Sequence, residues 1–69
     1  MYRLRVREIA EGKGIGRMRL ARLADVQYET INGIWKNERR DVSLSTLVKI
    51  ANALQVEVSE LFEVTDDTR

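Results

Sequence analysis

Apolar residues recur at intervals of three or four positions along most of the 69-residue chain, and short polar segments break the pattern. Side chains with this spacing lie on one face of an α-helix. The pattern predicts an all-α protein, a compact bundle of about five helices. Ser43 or Ser45 can cap the fourth helix, whose expected buried stripe begins at Leu44. The expected helices cover roughly residues 4–12, 17–24, 27–36, 44–54 and 58–62.

The first residues follow a different period. Apolar and basic residues alternate over residues 2–7, which is typical of a β-strand rather than of a helix. Either the first helix begins at Leu4, or residues 2–4 form a short strand whose partner edge is residues 61–65. We expect one domain over residues 1–64, followed by a disordered acidic tail at 65–69 that has nothing to bury.

Histidine, cysteine and proline are absent from the sequence. Zinc, haem and iron–sulfur sites need imidazole or thiolate ligands, so we expect no metal and no cofactor. The usual general base is missing, the serines have no histidine to activate them, and there is no glycine-rich phosphate loop. We therefore expect no enzymatic activity. Because disulfides are excluded too, packing alone must hold the fold together.

No apolar run approaches the ~20 residues that a membrane span needs. The first five residues lack the continuous apolar stretch of a signal peptide. We therefore expect a cytoplasmic protein with no membrane association. We expect no second domain and no sizeable pocket, so no small-molecule effector is evident.

The near-neutral net charge of +1 hides an asymmetry along the chain. Residues 1–40 carry ten basic and five acidic side chains, a net charge of +5. Residues 41–69 carry two basic and six acidic side chains, a net charge of −4. This division suggests one surface for a polyanion and another for a different role. A solvated surface of accidental polarity is the alternative.

Residues 17–37 contain two short predicted helices on either side of a tight break at Asp25. Two helices that cross steeply over a turn of three or four residues must touch, so a small residue is needed where they approach. Ala21 meets this need, and apolar residues surround it. The flanking apolar positions are Leu20, Ala24, Val26, Ile31 and Ile34.

The same order of residues continues beyond the break, with Leu20-Ala21, Val26, Ile31, Leu44-Ser45-Thr46-Leu47, Ile50-Ala51, Leu54-Gln55-Val56 and Glu60-Leu61. Over roughly residues 4–62 this pattern resembles the phage-repressor-type, Cro/cI-like (xenobiotic-response-element) helix-turn-helix family, which has a lambda-repressor-like fold. Its small single-domain members are the most similar. The resemblance implies sequence-specific binding to double-stranded DNA and transcription regulation, with repression as the expected mode.

The sequence departs from the family pattern at four positions. Asp25 stands where the family usually has a glycine in a left-handed conformation, which aspartate tolerates better than most residues. Gln55 replaces a glycine or asparagine after the fourth helix. Arg17 stands at a position where glutamine commonly contacts a phosphate, and Gln27 where serine or threonine commonly caps the third helix.

The resemblance places the leading end of the third helix, residues 27–36, in the major groove. The predicted base-reading residues are Gln27, Tyr28, Glu29 and Asn32. An amide offers the paired donor and acceptor that match adenine, which favours Gln27 and Asn32. The missing side chain of Gly33 would let the helix backbone approach the groove wall. The alternatives are a solvated polar face and a capping role for Gln27.

The predicted phosphate-contacting residues are Arg17, Arg19, Arg22, Lys36, Arg39 and Arg40. Phosphate contacts position a protein without reading sequence, and any one of these arginines is as readily explained by solvation alone. Arg39 or Arg40 can instead form an exposed ion pair with Glu38 or Asp41. Three further arginines in residues 3–7 can form an additional arm toward DNA.

The acidic half of the chain offers a surface turned away from DNA. We expect a homodimer whose contacts are Val58, Leu61, Phe62 and Val64. A two-fold dimer there would place two recognition helices about one DNA turn, ~34 Å, apart. The alternative is that Leu61 and Phe62 close the core of a single copy. A second function remains open, a protein-interaction module on the same fold, such as an antitoxin or an anti-repressor partner.

Overall fold

The computed structural model describes residues 2–38 and 40–64. Arg39 and the tail at residues 65–69, which the sequence predicts to be disordered, lie outside the described residues. Most of the described chain is helical, as the spacing of apolar residues predicts. None of the helices in these two described stretches is long and apolar enough to span a membrane. The elements in chain order are β1 (Tyr2–Leu4), α1 (Val6–Gly12), α2 (Arg17–Ala24), α3 (Tyr28–Lys36), α4 (Leu44–Leu54), a 3₁₀ helix (Val58–Leu61) and β2 (Phe62–Val64).

The two ends of the domain form a small antiparallel sheet. β1 pairs with β2 so that Tyr2 lies opposite Val64 and Leu4 lies opposite Phe62. The strand alternative for residues 2–4 is therefore confirmed, and α1 begins at Val6 rather than at Leu4. The predicted last helix is a single 3₁₀ turn, because the chain becomes extended at Phe62 to pair with β1.

The core is apolar throughout and extends from β1 to the 3₁₀ helix. Leu4 and Val6 are buried in it, which anchors the start of the chain. Leu44 was predicted to be buried, but its side chain is 68% exposed. It is the first residue of α4, and helical side chains tilt toward the helix N-terminus, so this one projects beyond the packed part of the helix. The largest fully buried side chains are Leu20, Ile31, Ile34, Ile50, Leu54, Leu61 and Val6.

The ends of α2 and α4 have the same geometry. Asp25 follows α2 with φ 58° and ψ 49°, and Gln55 follows α4 with φ 61° and ψ 47°. At α2, the amide of Val26 donates to the carbonyl oxygen of Ala21 at 3.0 Å, and Val56 and Ala51 repeat this bond after α4. Both helices therefore end in a left-handed residue that is not glycine, as the comparison with the family pattern predicts at Asp25.

Replacement of Gln55 by glycine is expected to raise the free energy of unfolding. The left-handed conformation costs a residue with a Cβ roughly 1–2 kcal/mol, and glycine avoids this cost. Part of the stabilisation is lost because glycine raises the conformational entropy of the unfolded chain. We expect a net stabilisation of about 0.5–1 kcal/mol, measured by urea unfolding. The control is Ala53→Gly inside α4, which should destabilise by about 1 kcal/mol. Destabilisation by both variants would contradict a left-handed Gln55.

Candidate nucleic-acid interface

α3 presents a polar face directly opposite its buried one. Ile31 and Ile34 are buried against the core, so at about 100° per residue Glu29 and Lys36 point outward. Gln27 precedes α3 in an extended conformation, and its side chain makes no capping hydrogen bond. The capping alternative for Gln27 is thus wrong in the free protein. The four predicted base-reading residues lie at or next to the leading half of α3, where Gln27, Tyr28 and Glu29 are exposed and Asn32 is half-buried.

A hydrogen bond joins the beginning of α2 to the outward face of α3. Arg17 Nη1 donates to Asn32 Oδ1 at 2.8 Å. Because a guanidinium has donors only, this contact fixes which end of the Asn32 amide faces Arg17. The amide nitrogen of Asn32 is left as a donor on the other side. Arg17, predicted to contact phosphate, therefore also orients a predicted base-reading side chain.

A second guanidinium lies on the same helix, over Gly33. A Cβ built on Gly33 would lie 2.5 Å from Arg40 Nη1 and 2.9 Å from Arg40 Cζ. No atom can occupy that position while the arginine is there. From the sequence, the missing side chain of Gly33 is expected to let the α3 backbone approach the groove wall. In the free protein the Arg40 side chain fills this space instead.

The segment that carries Arg40 is tied to β1. The Tyr2 hydroxyl lies 3.0 Å from the carbonyl oxygen of Arg40 and 3.2 Å from Asp41 Oδ1, and these two acceptors share its single proton. The amide of Leu4 donates to the carbonyl oxygen of Glu38 at 2.6 Å. Partial burial, together with the Asp41 carboxylate, raises the pKa of Tyr2 above its ordinary value. The hydroxyl therefore remains a donor across the physiological pH range.

The N-terminal arginines are engaged within the protein. Arg3 contacts Glu63 at 2.8 Å, Glu38 at 3.2 Å and Glu8 at 3.5 Å. The hydrogen bonds that Arg3 donates to the Glu63 and Glu38 carboxylates raise the pKa of Arg3 above its ordinary value. Two further ion pairs join Arg5 to Glu8 and Arg7 to Glu11. These contacts argue against the additional DNA-binding arm, because each of the three charges already faces carboxylates.

The remaining predicted phosphate contacts have no such partners. Within residues 2–38 and 40–64, every ion pair closer than 4.0 Å involves one of the three N-terminal arginines. The predicted phosphate contacts without a carboxylate neighbour in this part of the chain, all exposed, are Arg17, Arg19, Arg22, Lys36 and Arg40. Arg40 forms neither of the ion pairs suggested for it, since Glu38 pairs with Arg3 and Asp41 accepts from Tyr2. The sixth predicted residue, Arg39, falls outside the described residues.

Met18 is a further residue of the candidate interface that is not among those predicted from the sequence. Its side chain is 65% exposed at the beginning of α2, close to the leading end of α3. The signal in the sequence is an apolar residue between two arginines, outside the buried stripe of α2. It lines an open groove beside the turn, together with Ala21, Arg22, Asp25, Val26, Gln27 and Tyr28.

The four predicted dimer-contact residues differ in exposure. Leu61 is fully buried within one copy of the chain, so for this residue the alternative holds and it closes the core. Val58 and Phe62 are half-buried, and Val64 is 71% exposed. Phe62 and Val64 line an apolar groove with Tyr2, Leu4 and Leu47.

Two short helices joined by a tight turn, with the second exposing a polar face among unpaired cations, define a helix-turn-helix DNA-binding protein. Residues 5–67 match the Cro/C1-type HTH DNA-binding domain, and the chain belongs to that family. It is a DNA-binding transcription regulator. The fold is similar to that of the restriction-modification controller protein C.AhdI from Aeromonas hydrophila, with a TM-score of 0.73. The two sequences are 34% identical over 81% of this chain and 83% of that one. A comparison with curated proteins gave no match.

The contact between Arg17 and Asn32 generates a prediction about specificity. From sequence alone, Arg17→Ala should weaken binding to all DNA sequences alike, whereas Asn32→Ala should relax one base position. Because Arg17 orients the Asn32 amide, we expect Arg17→Ala to relax that same position as well as to lower affinity. Titration of single-base operator variants with each single mutant and the double mutant measures this, and the two effects should be coupled by roughly 0.5–3 kcal/mol.

Arg19→Ala is the matched control for this cycle. Arg19 is exposed on the same helix and forms no hydrogen bond or ion pair with α3 in the described chain, so its loss should weaken all operator variants by the same factor. Additive effects of Arg17→Ala and Asn32→Ala would show that the hydrogen bond does not contribute to base recognition.

Proposed function

We propose that the protein binds double-stranded DNA as a homodimer, each copy reading the major groove with the outward face of α3. One observation carries the proposal: the polar face of α3 lies among five exposed cations that have no carboxylate within 4.0 Å in the described chain. Such cations are available to phosphates. When these cations bind phosphates, the polar side chains of α3 between them can reach the edges of the bases.

The four base-reading residues have different roles in this proposal. The amides of Gln27 and Asn32 read adenine, because each supplies a donor and an acceptor at the spacing of the adenine N7 and N6 groups. In Asn32 the acceptor is the second lone pair of Oδ1, since the first accepts from Arg17. Tyr28 contacts a thymine methyl group or donates to a phosphate. Glu29 accepts from a cytosine amino group and, through its charge, disfavours positions where it would face a phosphate.

The phosphate contacts come from both ends of the motif. Arg17 stands at the beginning of α2, Arg19 and Arg22 follow on the same helix, and Lys36 is the last residue of α3. These cations would bind the backbone on either side of the groove that α3 enters. Each neutralised phosphate releases counterions, so affinity should fall steeply as salt rises.

The dimer proposal is supported by the exposed apolar surface next to the sheet. Val64 on β2 and Leu44 at the start of α4 are both largely exposed, and a groove lined by Phe62 and Leu47 lies beside Val64. A second copy would bury this surface in a two-fold contact. Val64 and Phe62 then remain as predicted dimer contacts, with Val58 at the margin.

The likeness to a restriction-modification controller supports one extension of the proposal. At 34% identity over most of both chains, the similar protein is described as a controller of restriction and modification. We propose that this chain likewise regulates genes of a restriction–modification system. A selected operator that matches no sequence upstream of such genes would remove this extension and leave the DNA-binding function in place.

Selection from a random pool of duplex DNA tests the proposal. At about 100 mM salt we expect enrichment of an inverted repeat whose half-site centres lie ~34 Å, one helical turn, apart. Gln27→Ala should then cost about 1–3 kcal/mol and relax preference at one base position. Binding without enrichment that vanishes as salt rises would indicate a general affinity for polyanions and contradict sequence-specific reading.

The dimer surface is tested by Val64→Asp. Since Val64 is 71% exposed, the substitution should leave the fold intact by circular dichroism while lowering the dimer fraction in sedimentation equilibrium. Leu23→Asp is the matched control, because Leu23 is 51% exposed and lies on α2, which is not part of the sheet. Equal effects of the two variants on the monomer–dimer equilibrium would contradict an interface at β2.

A further inference from the structure

Two guanidinium groups reach the outward face of α3 from opposite sides. Arg17 comes from the beginning of α2 and bonds Asn32, and Arg40 comes from the segment after α3 and covers Gly33. At about 100° per residue, Asn32 lies about 60° to one side of Glu29 and Gly33 about 40° to the other. The two arginines therefore flank the centre of the surface that enters the major groove.

The position of Arg40 depends on the absence of a side chain at residue 33. An atom at the Cβ position would lie 2.5 Å from Nη1, 2.9 Å from Cζ and 3.2 Å from Nε of Arg40. All three distances are to the planar end of the side chain, so the guanidinium lies next to the α3 backbone at Gly33. Glycine inside a helix is otherwise unfavourable. Here the missing side chain leaves the space that the Arg40 guanidinium occupies.

The backbone of Arg40 is held as well as its side chain. The carbonyl oxygen of Arg40 accepts from the Tyr2 hydroxyl at 3.0 Å, and the amide of Arg40 donates to the carbonyl oxygen of Asn37 at 3.1 Å. A side chain that starts from a fixed backbone and ends on a helix loses little further freedom when it binds. This favours a contact of defined geometry over a mobile charge near the phosphates.

Arg40 is exposed, and no carboxylate of the described chain lies within 4.0 Å of its guanidinium. A planar guanidinium with free donors on the major-groove side of a recognition helix fits the O6 and N7 atoms of guanine. We propose that Arg40 reads guanine in the major groove beside the bases contacted by α3, and that Gly33 provides the space that positions it. The proposal rests on the proposed entry of α3 into the major groove and replaces the phosphate contact assigned to Arg40 from sequence.

The test begins with the operator that the wild-type protein selects. We expect a guanine in each half-site, and replacement of that base by 7-deazaguanine, which lacks N7, should weaken wild-type binding on the order of tenfold. Arg40→Ala should bind all four bases at this position within about twofold and be insensitive to 7-deazaguanine. Arg40→Lys keeps the charge but loses the planar fork, so it should lose most of the guanine preference too.

Arg19→Ala serves as the matched control, since it removes an exposed arginine that forms no hydrogen bond or ion pair with α3 in the described chain. It should lower affinity for all operator variants by one common factor and retain the 7-deazaguanine effect. If Arg40→Ala behaves in the same way as Arg19→Ala, Arg40 is a phosphate contact and the inference is wrong. A selected half-site without guanine would also overturn it.

A double-mutant cycle tests the role of Gly33. Gly33→Ala should abolish the guanine preference in the wild-type background and have no further effect in the Arg40→Ala background. Alanine has a higher helix propensity than glycine, so thermal unfolding should show that the fold is retained. A loss of affinity that persists in the Arg40→Ala background would mean that Gly33 serves the direct approach of α3 to DNA. Failure of the wild-type protein to select any sequence would instead remove the proposed function.

Discussion

The packing of α2 against α3 at Ala21 is the contact on which the DNA-facing surface depends. Ala21 is 7% exposed, and its carbonyl oxygen accepts from the amide of Val26 across the turn. A larger side chain would push the helices apart, and a different turn would rotate α3 about its axis. Either change would alter which side chains face outward. The position of Gln27, Tyr28 and Glu29 is therefore set by one small residue and one left-handed residue, Asp25.

β1 provides a second support for the same surface. Three residues of strand connect β2 on one side with the segment after α3 on the other, through the amide of Leu4 and the hydroxyl of Tyr2. Arg3 adds contacts to a carboxylate in each of these two segments. Exposed ion pairs contribute little each, about 0–1 kcal/mol, so their value here is in positioning as much as in stability. A chain without cysteine or histidine thus braces its loop with backbone hydrogen bonds.

The sequence predicts the helices well because their apolar period is strong. The bounds of α2 at residues 17–24 agree with the structure, and Ser43, whose hydroxyl accepts from the Thr46 amide, caps α4. The left-handed Asp25 follows from the family pattern. From the sequence alone, the strand at residues 2–4 cannot be distinguished from a first helix that begins at Leu4. Its partner strand is about sixty residues away, and short-range patterns carry no information about such pairing.

The candidate site could be predicted only in part, for a related reason. Its residues follow from the outward direction of α3, but their mutual contacts depend on side-chain positions across elements. The hydrogen bond from Arg17 to Asn32 joins two helices, and the contact of Arg40 with Gly33 requires the exact course of the segment after α3. Gly33 was a visible anomaly in a helix, yet the sequence alone does not say what occupies the space. Leu61 shows the same limit, since an apolar pattern does not distinguish the core from a dimer surface.

The small sheet and the helical core also differ in local stability. Burial of Leu20, Ile31 and Ile50 involves helices close in sequence, whereas β1 and β2 are joined by only three residue pairs at the two ends of the domain. Short terminal elements with few backbone bonds open locally at lower free energy than the core does. When this sheet frays, Tyr2 releases the backbone of Arg40 while α2 and α3 stay folded. Amide hydrogen exchange in β1 would then report the fraction of time for which Tyr2 does not hold the backbone of Arg40. The order of the DNA-facing surface therefore depends on the pairing of β1 with β2.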